Sequence, residues 1–120
     1  MERKFKNTDT LSTVLDSKQV DKVLDYLTDD CLFVAGNSEP ITGKEAIKAT
    51  LEHFFTATKS TNHQVTDIFE SEDSLVHRGT VTYTRLDNTQ LTVPFCDVFK
   101  MKGKLINEYH IYIDWSELFN

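Results

Sequence analysis

The stretch Asn107–Trp115 reads NEYHIYIDW, and it bears on whether a β-sheet of this protein encloses a cavity. Side chains of a β-strand point alternately to its two faces, and the two faces of this stretch differ in polarity. The polar face consists of Glu108, His110, Tyr112 and Asp114, and the other face of Tyr109, Ile111 and Ile113. The polar face meets either water, as in an ordinary half-buried strand, or an internal cavity.

Length and composition indicate a single globular domain over residues 1–120, with a flexible segment at residues 1–9. The chain is 39% hydrophobic and 27% charged, which is ordinary for a globular protein. The net charge of −6 leaves no basic face for phosphates, so we expect no nucleic-acid partner. No apolar run is long enough to span a membrane, and none follows the basic N-terminus as in a signal peptide. We therefore expect no membrane partner and a cytoplasmic location.

The cysteines and histidines do not form a recognisable metal motif. Cys31 and Cys96 lack CxxC spacing and sit among apolar residues, which is typical of buried free thiols. The four histidines form no HxH or HExxH pair. We expect no metal site and no organic cofactor.

Two helical regions are predicted in the first half of the chain. Apolar residues recur every three or four positions from Leu11 to Leu27, with Asp9 or Thr10 as the N-cap and a break near Ser17. A short apolar strand, CLFVA, follows, and then a second amphipathic helix, KEAIKATLEHFFTAT, which begins after Gly43.

After Ser60 the hydrophobic pattern changes from a helical period to a strand period. Short connectors separate the four strand-like runs, which favours antiparallel pairing of neighbours. These runs are HQVTDIFES, SLVHRGTVTYTRL, QLTVPFCDVFKM and KLINEYHIYI. Helices followed by an antiparallel sheet predict an α+β fold, with the N-terminal helices packed on one face of a curved sheet.

The order of these elements resembles the SnoaL-like branch of the nuclear transport factor 2-like superfamily, which also includes steroid delta-isomerases, polyketide cyclases and limonene-epoxide hydrolases. The resemblance runs from Leu11 to Phe119. It depends on YLTDDCLFV after the first helix, PITGKEAI before the second, and a late strand ending in an aspartate followed by WSELF. The resemblance implies a cone-shaped α+β barrel whose curved sheet surrounds a pocket.

In such a cone one face of each long strand points inward, and two inward faces follow from alternation. They hold His77, Gly79, Val81, Tyr83 and Arg85 in one strand, and Leu91, Val93, Phe95, Asp97, Phe99 and Met101 in the next. Asp97 is the lone acid of its series. A buried carboxylate must be paired, with Arg78, Arg85 or a helix terminus, or keep its proton through a raised pKa.

The resemblance supports some catalytic roles and removes others. Asp97 matches the isomerase aspartic acid that donates a hydrogen bond to an enolate. The isomerase base falls on Val34 or Ala35 and its tyrosine near Leu11, so steroid isomerisation is not expected. Asp114 lies at or near the acid/base aspartate of the cyclases. The epoxide-hydrolase triad is not intact, because a histidine, His110, falls near one of its acids.

These considerations give two sets of candidate residues on the inner faces. The catalytic set, for a general base and for donors to developing negative charge, is Asp97, His110, Tyr112 and Asp114. The ligand-binding set is Val34, Phe54, Phe55, Val81, Tyr83, Phe95, Phe99 and Glu108. An alternative reading makes His110 a core or interface histidine.

Two functions remain open for the pocket. One is cofactor-free acid–base catalysis, of an isomerase, cyclase or hydrolase type, on a small hydrophobic ring or carbonyl compound. The other is non-catalytic ligand binding or dimeric association. The apolar face of the last strand, with Tyr109, Ile111 and Ile113, is expected to lie outside and to form a homodimer through the sheet.

Overall fold

Six strands form one curved, unclosed sheet, and the helices of the N-terminal half pack on its inner side. The structure is a computed structural model, and it describes residues 2–119. Met1, which belongs to the predicted domain and flexible segment, and Asn120, which belongs to the predicted domain, lie outside the described residues. The α+β fold class predicted from the sequence is confirmed.

The helices are short except for one. They are a 3₁₀ helix at Lys6–Thr10, α1 at Leu11–Asp16, α2 at Val20–Leu24 and α3 at Lys44–Ala57. The predicted break near Ser17 is confirmed, since Lys18 between α1 and α2 has a positive φ of 61°. Within the described part of the chain, no helix is both long and apolar enough to cross a membrane.

The strands run in the spatial order β2-β1-β6-β5-β4-β3. Their bounds are β1 Leu27–Ala35, β2 Ile41–Thr42, β3 Ser60–Ser71, β4 Ser74–Thr84, β5 Gln90–Lys102 and β6 Leu105–Ile113. The last four form the predicted antiparallel meander. The two-residue strand β2 was not predicted.

Strand β1 begins earlier than predicted, at Leu27 rather than at Cys31. It pairs in parallel with β6, where Leu27 lies opposite Ile106 and Phe33 opposite Tyr109. Leu27 belonged to the predicted helix because it continues the helical spacing. Burial of Leu27 and Ile106 against each other, both 0% exposed, takes precedence over that local pattern.

The inner faces of β4 and β5 agree with the prediction. Their buried residues include His77, Val81, Tyr83, Phe95, Asp97 and Phe99. Together with apolar residues of α1, β1 and β6 they form the core.

The predicted faces of β6 are wrong. Asp97 of β5 lies opposite Ile111, whereas Val98 lies opposite His110. Because opposed residues share a face, Ile111 is on the inner side with Asp97 and His110 is on the outer side. The reason is the ordinary alternation of a half-buried strand, in which the apolar residues join the core and the polar ones face outward.

Residues 3–9 of the N-terminal segment lie against the sheet. Phe5 is buried and Thr8 is fully buried. The Arg3 guanidinium donates to Glu70 of β3 at 2.6 Å and to Asp9 at 2.9 Å. Apolar burial and this partly buried ion-pair cluster fix the segment.

Lys18 joins the break between α1 and α2 to the end of α3. Its Nζ donates to the carbonyl oxygens of Phe55 at 2.9 Å, Thr58 at 3.1 Å and Lys59 at 2.9 Å. The last carbonyls of a helix lack internal partners and attract cations. The ammonium therefore caps α3 and links it to the break that follows the end of α1 at Asp16.

Gly79 lies where β4 approaches β3 most closely. A Cβ at this position would stand 1.9 Å from the backbone oxygen of Gln64. On β3 the register shifts between Val65 and Asp67, which marks a β-bulge opposite Gly79. Bulges bend strands, and glycine permits the close backbone contact that the bend requires.

We expect Gly79→Ala to destabilise the fold by at least about 3 kcal/mol, because the methyl group can only be accommodated by moving backbone. Urea unfolding measures the loss. The matched control is Gly103→Ala. Gly103 has a φ of 62°, and a Cβ added there would have no atom within 4 Å. That change should cost only about 1 kcal/mol, from the left-handed conformation alone. Equal effects of the two substitutions would show that the contact with Gln64 does not constrain the sheet.

Candidate functional site

A cavity of about 370 Å³ lies between the inner face of the sheet and α3. Five of the eight predicted ligand-binding residues lie in its wall, namely Phe54, Phe55, Val81, Tyr83 and Phe95. The reversed faces of β6 add Tyr109, Ile111 and Ile113 to the wall. The wall is mainly apolar and aromatic, as in most small-molecule sites, although ligand binding by these residues stays a prediction.

An aromatic group closes one side of the cavity. The ring of Phe54 lies 5.3 Å from that of Trp115 and 5.7 Å, edge to face, from that of Tyr83. The indole N–H of Trp115 donates to the hydroxyl oxygen of Tyr83 at 2.8 Å. Burial raises the pKa of Tyr83, so its hydroxyl keeps its proton and remains a donor.

Asp97 places an unpaired carboxyl group in this apolar wall. The residue is 7% exposed and lines the cavity. Its carboxyl group makes no hydrogen bond or ion pair to any residue in 2–119. The predicted alternative of an arginine partner is wrong, because Arg78 binds Asp67 at 2.8 Å and Arg85 donates to the carbonyl of Leu118. Burial raises the pKa of Asp97 to about 8.

His77 lies directly opposite Asp97 on β4 but belongs to the core. Its Nε2 lies 3.4 Å from the Thr8 hydroxyl, and its ring contacts Phe99 edge to face at 5.1 Å. Burial lowers its pKa to about 4, so the ring is neutral at pH 7. Phe99, predicted to bind ligand, is fully buried and packs against His77 and Tyr109 outside the cavity lining.

The structure does not bring the other predicted site residues to the cavity. His110 lies on the outer face and pairs with Glu108 at 2.9 Å, and its ring stacks with that of Tyr112. Val34 is opposite His110 and shares this face. Asp114 follows the strand in an exposed position and accepts a hydrogen bond from the backbone N–H of Ser116, which lowers its pKa. Glu108, His110 and Tyr112 were wrongly placed in the pocket because the face of β6 was reversed, and Val34 of β1 and Asp114 also lie outside the cavity wall.

Sequence reasoning missed His63, a residue of the cavity wall that pairs with Asp16. His63 of β3 lies in the cavity wall, and its Nδ1 is 2.6 Å from the carboxylate of Asp16 at the end of α1. Asp16 also accepts from the backbone N–H of His63 at 2.8 Å and from the Thr61 hydroxyl at 3.0 Å. Strand alternation would have given His63 the inward face, but its partner lies 47 positions away in the chain.

The Asp16 carboxylate is ionised in this arrangement. Burial raises its pKa, but the hydrogen bonds from the side chain and backbone of His63 and from Thr61 outweigh that effect, and the net pKa is below its usual value. A carboxylate only accepts hydrogen bonds, so Nδ1 is the ring nitrogen that carries the proton toward Asp16.

Neither cysteine takes part in the cavity. Cys31 is buried, with a pKa raised to about 12 by burial, and Cys96 is half-buried on the outer face of β5. Among residues 2–119, no three histidine, cysteine, aspartate or glutamate side chains come together as a metal-ligand group.

The fold and this cavity define the class of protein. The chain belongs to the SnoaL-like domain family, whose model matches residues 9–109. This confirms the resemblance found in the sequence. A search of the curated proteins finds no match.

Solved structures share the whole fold at low sequence identity. A nuclear transport factor 2-like protein of unknown function from Burkholderia pseudomallei K96243 has a TM-score of 0.89 and 16% identity, covering 98% of this chain and 95% of that one. A limonene-epoxide-hydrolase-like epoxide hydrolase from M. tuberculosis has a TM-score of 0.80 and 16% identity, with 96% and 85% covered. A protein of ketosteroid isomerase-like fold from Catenulispora acidiphila DSM 44928, in complex with trimethylamine, has a TM-score of 0.80 and 13% identity, with 86% and 81% covered. At such identities the likeness shows the fold alone.

We expect the stability difference between Asp97→Asn and the parent protein to depend on pH. The folded protein keeps the Asp97 proton up to about pH 8, whereas the unfolded chain loses it near pH 4. The parent is thus most stable below pH 4 with respect to this group, and loses about 1.4 kcal/mol per pH unit until about pH 8. Asparagine does not titrate, so the stability of the variant relative to the parent rises with pH over that range.

Urea unfolding of both proteins at several pH values from 5 to 8 measures this difference. The opposite contribution of His77, whose lowered pKa makes stability rise with pH between about 4 and 6.5, is common to both proteins and cancels. A constant difference across the range would mean that Asp97 is ionised in the folded protein.

Proposed function

We propose that the protein binds a small hydrophobic molecule with a carbonyl or similar acceptor oxygen in the cavity, and acts on it by acid–base chemistry. The observation that carries the proposal is Asp97, which is 7% exposed, lies in an apolar wall and has no partner for its carboxyl group among residues 2–119. Such a group is unfavourable for stability alone. A ligand oxygen that accepts its proton in a hydrogen bond gives it the missing partner.

The protonated form of Asp97 suits this role. With a pKa of about 8, it is mainly neutral at pH 7 and is a donor. In a water-poor cavity, a fixed donor stabilises negative charge that develops on a ligand oxygen more strongly than water does. The Tyr83 hydroxyl, which accepts from Trp115, has its own proton available as a second donor in the same wall.

The dimensions of the cavity limit the ligand. Its volume of about 370 Å³ is near the lower end of the range of roughly 300–1,000 Å³ for small-molecule sites. The aromatic group of Phe54, Tyr83 and Trp115 favours a flat or ring-shaped molecule. A non-catalytic binding protein would use the same wall, and turnover distinguishes the two functions.

We expect 2-tetralone to bind about fivefold more tightly than tetralin, its counterpart without the carbonyl, since one neutral hydrogen bond contributes about 1 kcal/mol. Trp115 is the single tryptophan and lines the cavity, so its fluorescence reports occupancy. In Asp97→Leu, the preference for the ketone should disappear while tetralin binding persists.

Asp97→Asn is the matched control for this experiment. It keeps a donor of similar size and should retain the preference for the ketone, although it loses the titratable proton. Equal affinity of the parent for the two compounds, or a ketone preference that survives in Asp97→Leu, would contradict the proposed role of Asp97. Failure of both compounds to change the fluorescence of Trp115 would contradict the binding function.

We also propose that two copies of the chain associate through the outer face of the sheet. Tyr109, Ile111 and Ile113 do not contribute, because they lie on the inner side in the wall of the cavity. The support comes from other residues: Tyr112 is 61% exposed on this face, beside half-buried Cys96 and Val98. A two-fold pair would bury the same face of both copies.

Sedimentation at micromolar concentration tests this association. We expect a dimer for the parent, and at least a tenfold weaker association for Tyr112→Asp, because the substitution buries an unpaired charge. Leu86→Asp is the control, since Leu86 is 66% exposed in the turn after β4. A monomeric parent, or equal effects of the two substitutions, would show that this face is not an interface.

A further inference from the structure

We propose that His63, held in place by Asp16, is the general base of the cavity, and that it removes a proton from a carbon next to the carbonyl group of the ligand. The inference rests on the proposed function, since it needs a carbonyl compound in the cavity. It assigns the base to β3 and α1, whereas the sequence placed it on β6.

Three hydrogen bonds hold the Asp16 carboxylate, and one of them comes from the imidazole of His63. One carboxylate oxygen accepts from Nδ1–H at 2.6 Å and from the Thr61 hydroxyl at 3.0 Å. The other takes the backbone N–H of His63 at 2.8 Å. The ring also contacts Phe95 edge to face, at 5.3 Å between centroids. A ring held on both sides has little rotational freedom left to lose when it reacts.

The free nitrogen of this ring is available to a ligand. In the tautomer that donates from Nδ1 to Asp16, the lone pair of the ring is on Nε2. Nε2 makes no hydrogen bond within the described residues, and His63 lies in the cavity wall. A base needs an unshared lone pair at the reacting proton, and this nitrogen provides one.

The base and the donor approach the cavity from different strands. His63 lies opposite Val81 of β4, and Val81 lies opposite Val93 of β5. Asp97 lies further along β5, on the same inner face. A ligand between them meets the base at its C–H bond and the Asp97 proton at its oxygen. The separation lets two groups of opposite function act at once without neutralising each other.

The proposed step moves one proton and needs no oxidant or reductant. Nε2 takes the proton from the carbon and becomes part of an imidazolium, which the ionised Asp16 stabilises. The electron pair of the broken C–H bond forms a carbon–carbon double bond, and the carbonyl π pair moves to oxygen. The resulting enolate oxygen accepts a hydrogen bond from Asp97. Return of the proton from Nε2 to the same or another carbon restores the ring and completes an exchange or an isomerisation.

The position of Asp16 is hard to explain by helix stability. It is the last residue of α1, where the helix dipole disfavours a negative charge. Contacts with the backbone N–H of His63 and with Thr61 already attach α1 to β3. The additional bond to Nδ1 fixes the orientation and tautomer of the ring, which matters for a base and little for the attachment.

The test uses 5-nitrobenzisoxazole, a flat aromatic compound that releases a coloured phenolate once a base removes its ring C–H proton. We expect the parent to accelerate this reaction and His63→Gln to lose at least a hundredfold in kcat, which is the usual contribution of a general base. The Kd of the probe, from Trp115 fluorescence, should change by less than threefold. His110→Gln, the same substitution on the outer face, should keep the parental rate.

Two further variants separate catalysis from a structural role. His63→Ala should regain activity when imidazole is added, whereas a residue that only supports the fold gives no such rescue. Asp16→Asn should lower kcat about tenfold and shift the ¹⁵N resonances of His63 away from the Nδ1-protonated form. Thermal unfolding shows whether each variant is folded. If His63→Gln does not fold, the imidazole rescue of His63→Ala serves as the test instead.

The outcomes distinguish this inference from the proposed function. Suppose that 2-tetralone binds as described. If His63→Gln then leaves the rate of 5-nitrobenzisoxazole opening unchanged, or if only Asp97→Leu abolishes that rate, the base is not His63 and the inference is overturned. A parent that binds the probe without accelerating the reaction overturns it too. If neither 2-tetralone nor the probe changes Trp115 fluorescence, the cavity is not a ligand site and both proposals fail.

Discussion

The close approach of β3 and β4 at Gly79 is the constraint on which the cavity depends. The backbone oxygen of Gln64 occupies the place of a side chain at Gly79, and the bulge between Val65 and Asp67 bends β3 there. Without this bend the inner faces would form a flatter sheet that α3 could cover directly. With it, the sheet turns around its inner side chains, and a volume of about 370 Å³ stays unfilled.

That unfilled volume changes the energetics of Asp97. In a filled core, an unpaired carboxyl group would lose hydrogen bonding with water and gain only van der Waals contacts. Beside a cavity it meets a space that a ligand or water can occupy, although burial still raises its pKa to about 8. The nearest candidates for neutralising it are engaged elsewhere: Arg78 binds Asp67, and His77 is a neutral core residue. The unpaired carboxyl group of Asp97 thus lowers the stability of the folded protein at neutral pH, and a ligand that bonds to it would offset this loss.

The sequence allowed prediction of the fold class, the meander and the inner faces of β4 and β5, because alternation in those strands is unambiguous and Asp97 stands alone in an apolar series. It failed on β6 for an identifiable reason. The polar face of β6 was assigned to the cavity because of the family resemblance. The general tendency of apolar side chains to lie inside would have placed Ile111 and Ile113 correctly. The pairing of His63 with Asp16 was out of reach, since it joins the end of a six-residue helix to an edge strand 47 positions later. Such contacts depend on tertiary packing that local patterns do not contain.

Asp97 and His63 are held in the cavity wall by different parts of the fold, and this has a consequence for their proposed roles. Asp97 is on β5, in the interior of the sheet, where its neighbours on β4 and β6 hold it on both sides. His63 is on the edge strand β3 and pairs with Asp16 at the end of α1, and Lys18, just after α1, binds the last carbonyls of α3. The helix that covers the cavity therefore also anchors the residue that orients His63. A ligand that displaces α3 outward would loosen the Lys18 contacts and with them Asp16, so the proposed catalysis by His63 would require a ligand small enough to leave α3 in place.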